Sequence, residues 1–141
     1  MVMIIDASGA VLGRLSASVA KKLLAGEEIV VVNAARAVIS GNPDFIKDKF
    51  QHRRDRGDRI KGPFYPRYPD MMLKRAIRGM LPRKKMRGRD ALERLRVYKA
   101  CPVQFTGKAQ RFGKQVSELR CKSTTLAQLA KSLGAREGMI G

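Results

Sequence analysis

Apolar positions in this chain follow a regular rhythm near the start, lose it in a long polar stretch, and recover it afterwards. Met3-Ile4-Ile5 is an unbroken apolar run that ends at Asp6 and a glycine-containing turn. Leu12, Leu15, Val19 and Leu23 then recur at helical spacing, and Gly26 stands where the chain can leave the helix in a left-handed conformation. Ile29-Val30-Val31-Val32 is continuous and β-branched, the pattern of a strand buried on both faces. Ala37-Val38-Ile39 is a third candidate strand. Asn42 and Pro43 supply an N-cap and a first-turn proline, and Phe45, Ile46 and Phe50 give the helix behind them an apolar side. Strand, helix, strand at this spacing predicts a βαβ unit, a right-handed crossover and a parallel sheet.

The rhythm stops at residues 52–69, HRRDRGDRIKGPFYPRYP, which hold three prolines, two glycines and almost no apolar period. A segment of this kind predicts an extended loop, mobile when free because few apolar anchors hold it. Met72, Leu73, Ala76, Ile77 and Met80 restore helical spacing behind Asp70 as N-cap, with Lys74, Arg75 and Arg78 on the other face. Leu81-Pro82 ends that helix. A basic run, RKKMRGR, occupies residues 83–89, followed by a short helix with Leu92 and Leu95 and a last strand at Arg96-Val97-Tyr98. Residues 101–122 carry no dominant period and predict no element. Thr125 and Gln128 have capping-box spacing, and Leu126, Leu129, Ala130 and Leu133 form the stripe of a C-terminal helix that Gly134 stops.

Composition changes the picture mainly through charge. A chain of 141 residues, 44% hydrophobic, fits a single domain with its own core, here taken as residues 1–141. Lys and Arg number 30 against 12 Asp and Glu, a formal charge of +18. Residues 1–52 contribute only +1 of this, residues 53–99 contribute +12, and residues 100–141 contribute +5. So concentrated an excess repels itself unless a polyanion neutralises it, and it argues against an ordinary small-molecule enzyme. Nucleic acid is the leading partner and an anionic membrane surface the second. The middle helices could pass for a DNA-reading helix-turn-helix, but the strand-rich first third does not belong to the usual versions. No stretch approaches the apolar length needed to span a bilayer, and residues 1–13 show no secretory pattern.

Catalytic and metal chemistry find little support. Gly9 to Gly13 and Gly107 to Gly113 lack phosphate-loop spacing and read as turn glycines. The single histidine, His52, has no nucleophile elbow to serve. Asp55 and Asp58 sit among Arg53, Arg54, Arg56 and Arg59, whose charge opposes a divalent cation, so internal pairing is the better reading. Cys101 and Cys121 lack the further Cys and His partners of a zinc site and read as idle thiols in a reducing cytosol. No cofactor and no small-molecule substrate is expected.

The candidate contacts are therefore cationic. Arginine grips phosphate oxygens with a planar fork and stacks on bases. Arg53, Arg54, Arg56, Arg59, Lys61 and Arg67 lie in the polar segment, Arg75 and Arg78 on the helix behind it, and Arg83, Lys84, Lys85, Arg87 and Arg89 in the basic run. Phe64, Tyr65 and Tyr68 interleave with these cations, either as stacking platforms for unpaired bases or as pins that hold the segment to the core.

Residues 77–102, IRGMLPRKKMRGRDALERLRVYKACP, closely resemble the signature of the large-subunit ribosomal protein thirteen family. The marks are Gly79-Met80-Leu81-Pro82, the basic stretch, Gly88, Leu95 and Val97-Tyr98. Asp6-Ala7, Leu12-Gly13-Arg14-Leu15 and Val32-Asn33-Ala34 are similar to the same family's first part. The tryptophan and threonine pattern of bacterial members is absent, and the short chain is most similar to archaeal members. Ala100 stands where the family generally has a small turn residue, often glycine, after its Val-Tyr pair. The resemblance implies a three-layer α/β/α fold around a four-stranded parallel sheet. It also implies a structural role in the large ribosomal subunit, in the cytoplasm, with large-subunit ribosomal RNA and neighbouring ribosomal proteins as partners. No catalytic residues come with it, and its basic stretch falls on Arg83, Lys84, Lys85, Arg87 and Arg89.

Overall fold

The computed structural model describes residues 2–113 and 115–140. Strand β1 (Val2–Asp6), helix α1 (Leu12–Leu24) and strand β2 (Glu28–Val32) form the expected parallel βαβ unit, with Val2 opposite Glu28 and Asp6 opposite Val32. Ile29 to Val32 are all buried, as their β-branched run requires. The next elements are β3 (Val38–Ser40), α2 (Pro43–Asp55), α3 (Pro69–Met80), α4 (Met86–Glu93) and β4 (Leu95–Val97). Strands β5 (Gln110–Arg111) and β6 (Ser123–Thr125) precede the last helix, α5 (Leu126–Ser132). The main sheet has four parallel strands in the order β4-β2-β1-β5, giving the α/β fold expected from the sequence.

Period-two alternation assigns the sheet's faces. Ile5, Ile29, Val31 and Leu95 share one core with Leu15, Val19 and Leu23 of α1 and with Met72, Leu73 and Ile77 of α3. Burial of each such side chain stabilises the fold by about 1.5–3 kcal/mol before entropic costs. This packing fixes α3 by its apolar stripe and leaves its cationic side turned outward.

Several expected boundaries move. Helix α2 continues past His52 to Asp55, taking Arg53 and Arg54 out of the loop, because both side chains are held. Arg53 lies over the rings of Phe50 and Tyr65, and Arg54 donates to the Leu133 carbonyl at 2.6 Å. Phe45 lies away from the core, 67% exposed, so only Ile46 and Phe50 form that helix's apolar side. Tyr68, not Asp70, is the N-cap of α3, since Pro69 takes the first helical position, and Asp70 falls in the first turn. Leu95 belongs to β4 and not to the short helix before it. The third candidate strand, β3, joins β6 in a separate antiparallel pair. The fourth strand of the main sheet comes from the 101–122 stretch, where no element was expected. Near the C-terminus the capping box of Thr125 and Gln128 is complete, with both bonds at 3.2 Å.

Candidate nucleic-acid interface

The cations on α3 are placed by what their neighbours bury. Because Met72, Leu73 and Ile77 face inward, Lys74 is exposed while Arg75 and Arg78 lie half-buried along the helix flank. Helix α3 ends before Leu81-Pro82, and Arg83 just beyond lies beside them. Arg75, Arg78, Gly79, Leu81 and Arg83 then line a groove of about 300 Å³, and among the described residues no carboxylate lines it. Burial and the nearby Arg75 and Arg83 guanidiniums hold the Arg78 pKa below the ordinary arginine range. An anion in the groove would offset both the burial and the neighbouring positive charge. A second trough of about 260 Å³ is lined by the same Arg75 and Arg78 together with Pro66, Met71, Lys74 and Leu92. A larger groove elsewhere, about 500 Å³, has Glu28, Asp90 and Glu93 among its lining residues and is the less suited to phosphate.

The aromatics of the polar segment separate into different roles. Tyr65 meets Phe50 edge-on at 5.6 Å, with the Arg53 and Arg75 guanidiniums 6.0 and 5.5 Å from its ring centre. It pins the segment to α2 and orients two arginines. Tyr68 is flanked by Arg67 at 5.7 Å and by Lys99 at 4.9 Å. Lys99 belongs to this cluster although it is 31 positions from Tyr68 in the chain, a distance that hid it from sequence reasoning. Phe64 stays 66% exposed.

The remaining predicted cations fall into two groups. Arg56, Arg59, Lys61, Arg67, Arg83, Lys84 and Lys85 are exposed. Arg54, Arg87 and Arg89 each spend a donor inside the protein. Arg54 bonds the Leu133 carbonyl and lies 3.1 Å from Asp55. Arg87 bonds the Leu24 carbonyl at 3.2 Å, and Arg89 bonds that of Arg83 at 3.3 Å. These bonds fix the basic run against α1 and on itself. Among the described residues, no group of three His, Cys, Asp or Glu side chains is arranged to hold a metal, and both cysteines are free. No described helix is long and apolar enough to cross a membrane.

A profile described as ribosomal protein L13 matches residues 1–104. The chain belongs to the ribosomal protein L13 family. Its relatives include the large ribosomal subunit protein uL13 of Archaeoglobus fulgidus, 45% identical over 137 residues, covering 94% of this chain and 88% of the relative. The protein of the same name from Thermoplasma acidophilum is 48% identical over 132 residues, covering 93% of this chain and 97% of the relative. That of Methanocaldococcus jannaschii is 45% identical over 139 residues, covering 94% and 98%.

In this L13-family chain the signature glycine at position 88 has a direct structural explanation. Gly88 is buried in α4 where a Cβ would collide with the Pro82 carbonyl, which already accepts from the Lys85 N–H at 3.0 Å. The helix carrying Arg87 and Arg89 can approach the end of α3 this closely only through glycine.

Proposed function

We propose that this L13-family protein is a structural, non-catalytic constituent of the large ribosomal subunit that binds large-subunit ribosomal RNA and supports subunit assembly in the cytoplasm. The observation that carries the RNA contact is the groove shared by Arg75, Arg78 and Arg83. Three guanidiniums around one recess repel one another until a phosphate enters, and each can then turn its planar fork to the phosphate oxygens. Lys84 and Lys85 extend the same positive surface, with Arg56, Arg59, Lys61 and Arg67 supplying a second approach. Arg53 is oriented by its aromatic neighbours. Arg54, Arg87 and Arg89 retain donors for phosphate beyond those bonded within the protein. Neighbouring ribosomal proteins are the expected protein partners.

Sedimentation of native lysate from the source cells, with and without ribonuclease, tests this reading. The protein is expected to travel with the large subunit and to leave it when RNA is digested. A free 15.7 kDa species at the top of both gradients would reject it.

A further inference from the structure

Residues 57–64 form a closed finger rather than an open loop. The Asp58 N–H donates to the Gly62 carbonyl at 3.2 Å, and the Gly62 N–H donates back to the Asp58 carbonyl at 3.0 Å. Gly57 enters at φ +98°, where a Cβ would strike Pro63 and the Gly62 carbonyl, and Gly62 leaves at φ +74°. Both ends of the finger therefore require glycine. The ring of Phe64 lies against the α-carbon of Gly62, so close that a Cβ there would sit 2.9 Å from a ring carbon. Arg59, Ile60 and Lys61 are left at the tip.

The finger exposes its apolar groups. Ile60 is 79% exposed and Phe64 66% exposed, and Arg56, Arg59 and Lys61 of the same segment are exposed as well. Of the segment's three aromatics, Tyr65 and Tyr68 are engaged by cations and, for Tyr65, by Phe50. Phe64 has no ring or cation partner among the described residues. One exposed apolar side chain needs no explanation. Two on a short, internally bonded finger that also carries exposed Arg59 and Lys61 and directly follows Arg56 offer apolar and cationic groups on one segment, which suits a ligand that is apolar and anionic together.

We infer that the finger is a binding site for unpaired nucleotides, in which Phe64 stacks on a splayed base, Ile60 packs beside it as a wedge, and Arg59 and Lys61 hold the flanking phosphates. Nucleobases have apolar faces and their backbone is anionic, so a single-stranded loop or bulge satisfies both halves of the surface. Regular A-form helix does not, because its base faces are covered by stacking. The site rests on the ribosomal RNA reading but adds a recognition mode beyond phosphate attraction. The glycine-built closure limits the entropy lost on docking.

Stacking and phosphate contacts are separable by salt. With deproteinised archaeal large-subunit RNA as the probe, Phe64→Ala is expected to weaken binding about 5- to 150-fold while leaving the slope of log K against log salt unchanged. Ile60→Ser should weaken it in the same slope-neutral way. The chain has no tryptophan, so Phe64→Trp supplies a single reporter whose emission should be quenched on binding this RNA, with affinity retained. Far-UV circular dichroism checks that each variant is folded. Unchanged affinity of folded Phe64→Ala, or unquenched emission from bound Phe64→Trp, would overturn the site while leaving the RNA reading standing. Impaired entry into subunits without an RNA-binding defect would assign the finger to a protein neighbour and also overturn it. Absence of salt-dependent binding by the unmodified protein would overturn the site and the RNA reading together.

Discussion

At the scale of single residues, the positions that matter most are those where backbone and side chain have no room to adjust. Replacing Gly88 with alanine gains up to about 1 kcal/mol of helix propensity. The same change drives a Cβ into the Pro82 carbonyl, a collision of the overpacking kind that costs about 1–3 kcal/mol. The collision involves backbone already tied to Lys85, so it should win. Gly88→Ala is expected to lower the urea midpoint while the surviving folded protein keeps its RNA salt slope. Asp6 gives a second residue-scale prediction. Burial pushes its carboxyl pKa up, but Asn33 at 2.9 Å, the Ser8 N–H at 3.0 Å and Arg111 at 3.8 Å outweigh this and hold it below the ordinary aspartate range. A lowered folded-state pKa adds stability that is fully present above the unfolded value, about 3.9, and is lost as pH falls through the folded value. Urea midpoints measured from pH 6 down to pH 2 should therefore fall at the acid end, and less steeply in Asp6→Asn.

At the scale of elements, the basic run changes meaning once its bonds are known. Charge alone counts Arg83, Lys84, Lys85, Arg87 and Arg89 as equivalent. The structure ties Arg87 to the end of α1 and Arg89 to the Arg83 carbonyl, leaving the first three as the exposed set with no such bond. Each phosphate contact contributes about 0.7–0.9 to the salt slope. Replacing Arg83, Lys84 and Lys85 together with alanine should thus flatten the slope by about two to three units, as read from RNA-binding isotherms at several salt concentrations. A change below one unit would remove this turn from the interface. The end of α2 teaches the same lesson. Its last turn looked like loop because Arg53 and Arg54 have no apolar partner in sequence, yet a ring pair and a distant carbonyl hold them in helix.

At the scale of the whole molecule, a formal charge of +18 sets two opposite responses to salt. Self-repulsion among cations destabilises the free fold and is screened as the Debye length shrinks from about 10 Å at 0.1 M to about 3 Å at 1 M. RNA affinity falls over the same range because counterion release loses its advantage. The free protein's melting temperature should rise from low salt to about 0.5 M sodium chloride while its RNA affinity drops. A melting temperature that stayed flat or fell would mean that repulsion is already balanced within the fold. Bound RNA should raise the melting temperature most at low salt, since binding to the folded state adds to its stability.

The sequence by itself determined the parallel βαβ unit, the buried face of α1, the double burial of β2, the C-terminal capping box and the third of the chain that carries the charge. Each of these is a local pattern, written within one helix turn, one strand or one stretch of composition. Only the tertiary structure decided that β3 pairs with β6 and that the two residues of β5 complete the main sheet, because strands of two or three residues leave no period to read. It also decided which cations meet. Arg75, Arg78 and Arg83 share a groove, Tyr65 sits between Arg53 and Arg75, and Lys99 reaches Tyr68. Those encounters depend on how α3 docks through Met72, Leu73 and Ile77 and on how closely Gly88 lets α4 approach, and packing of that kind is set between elements, not along the chain.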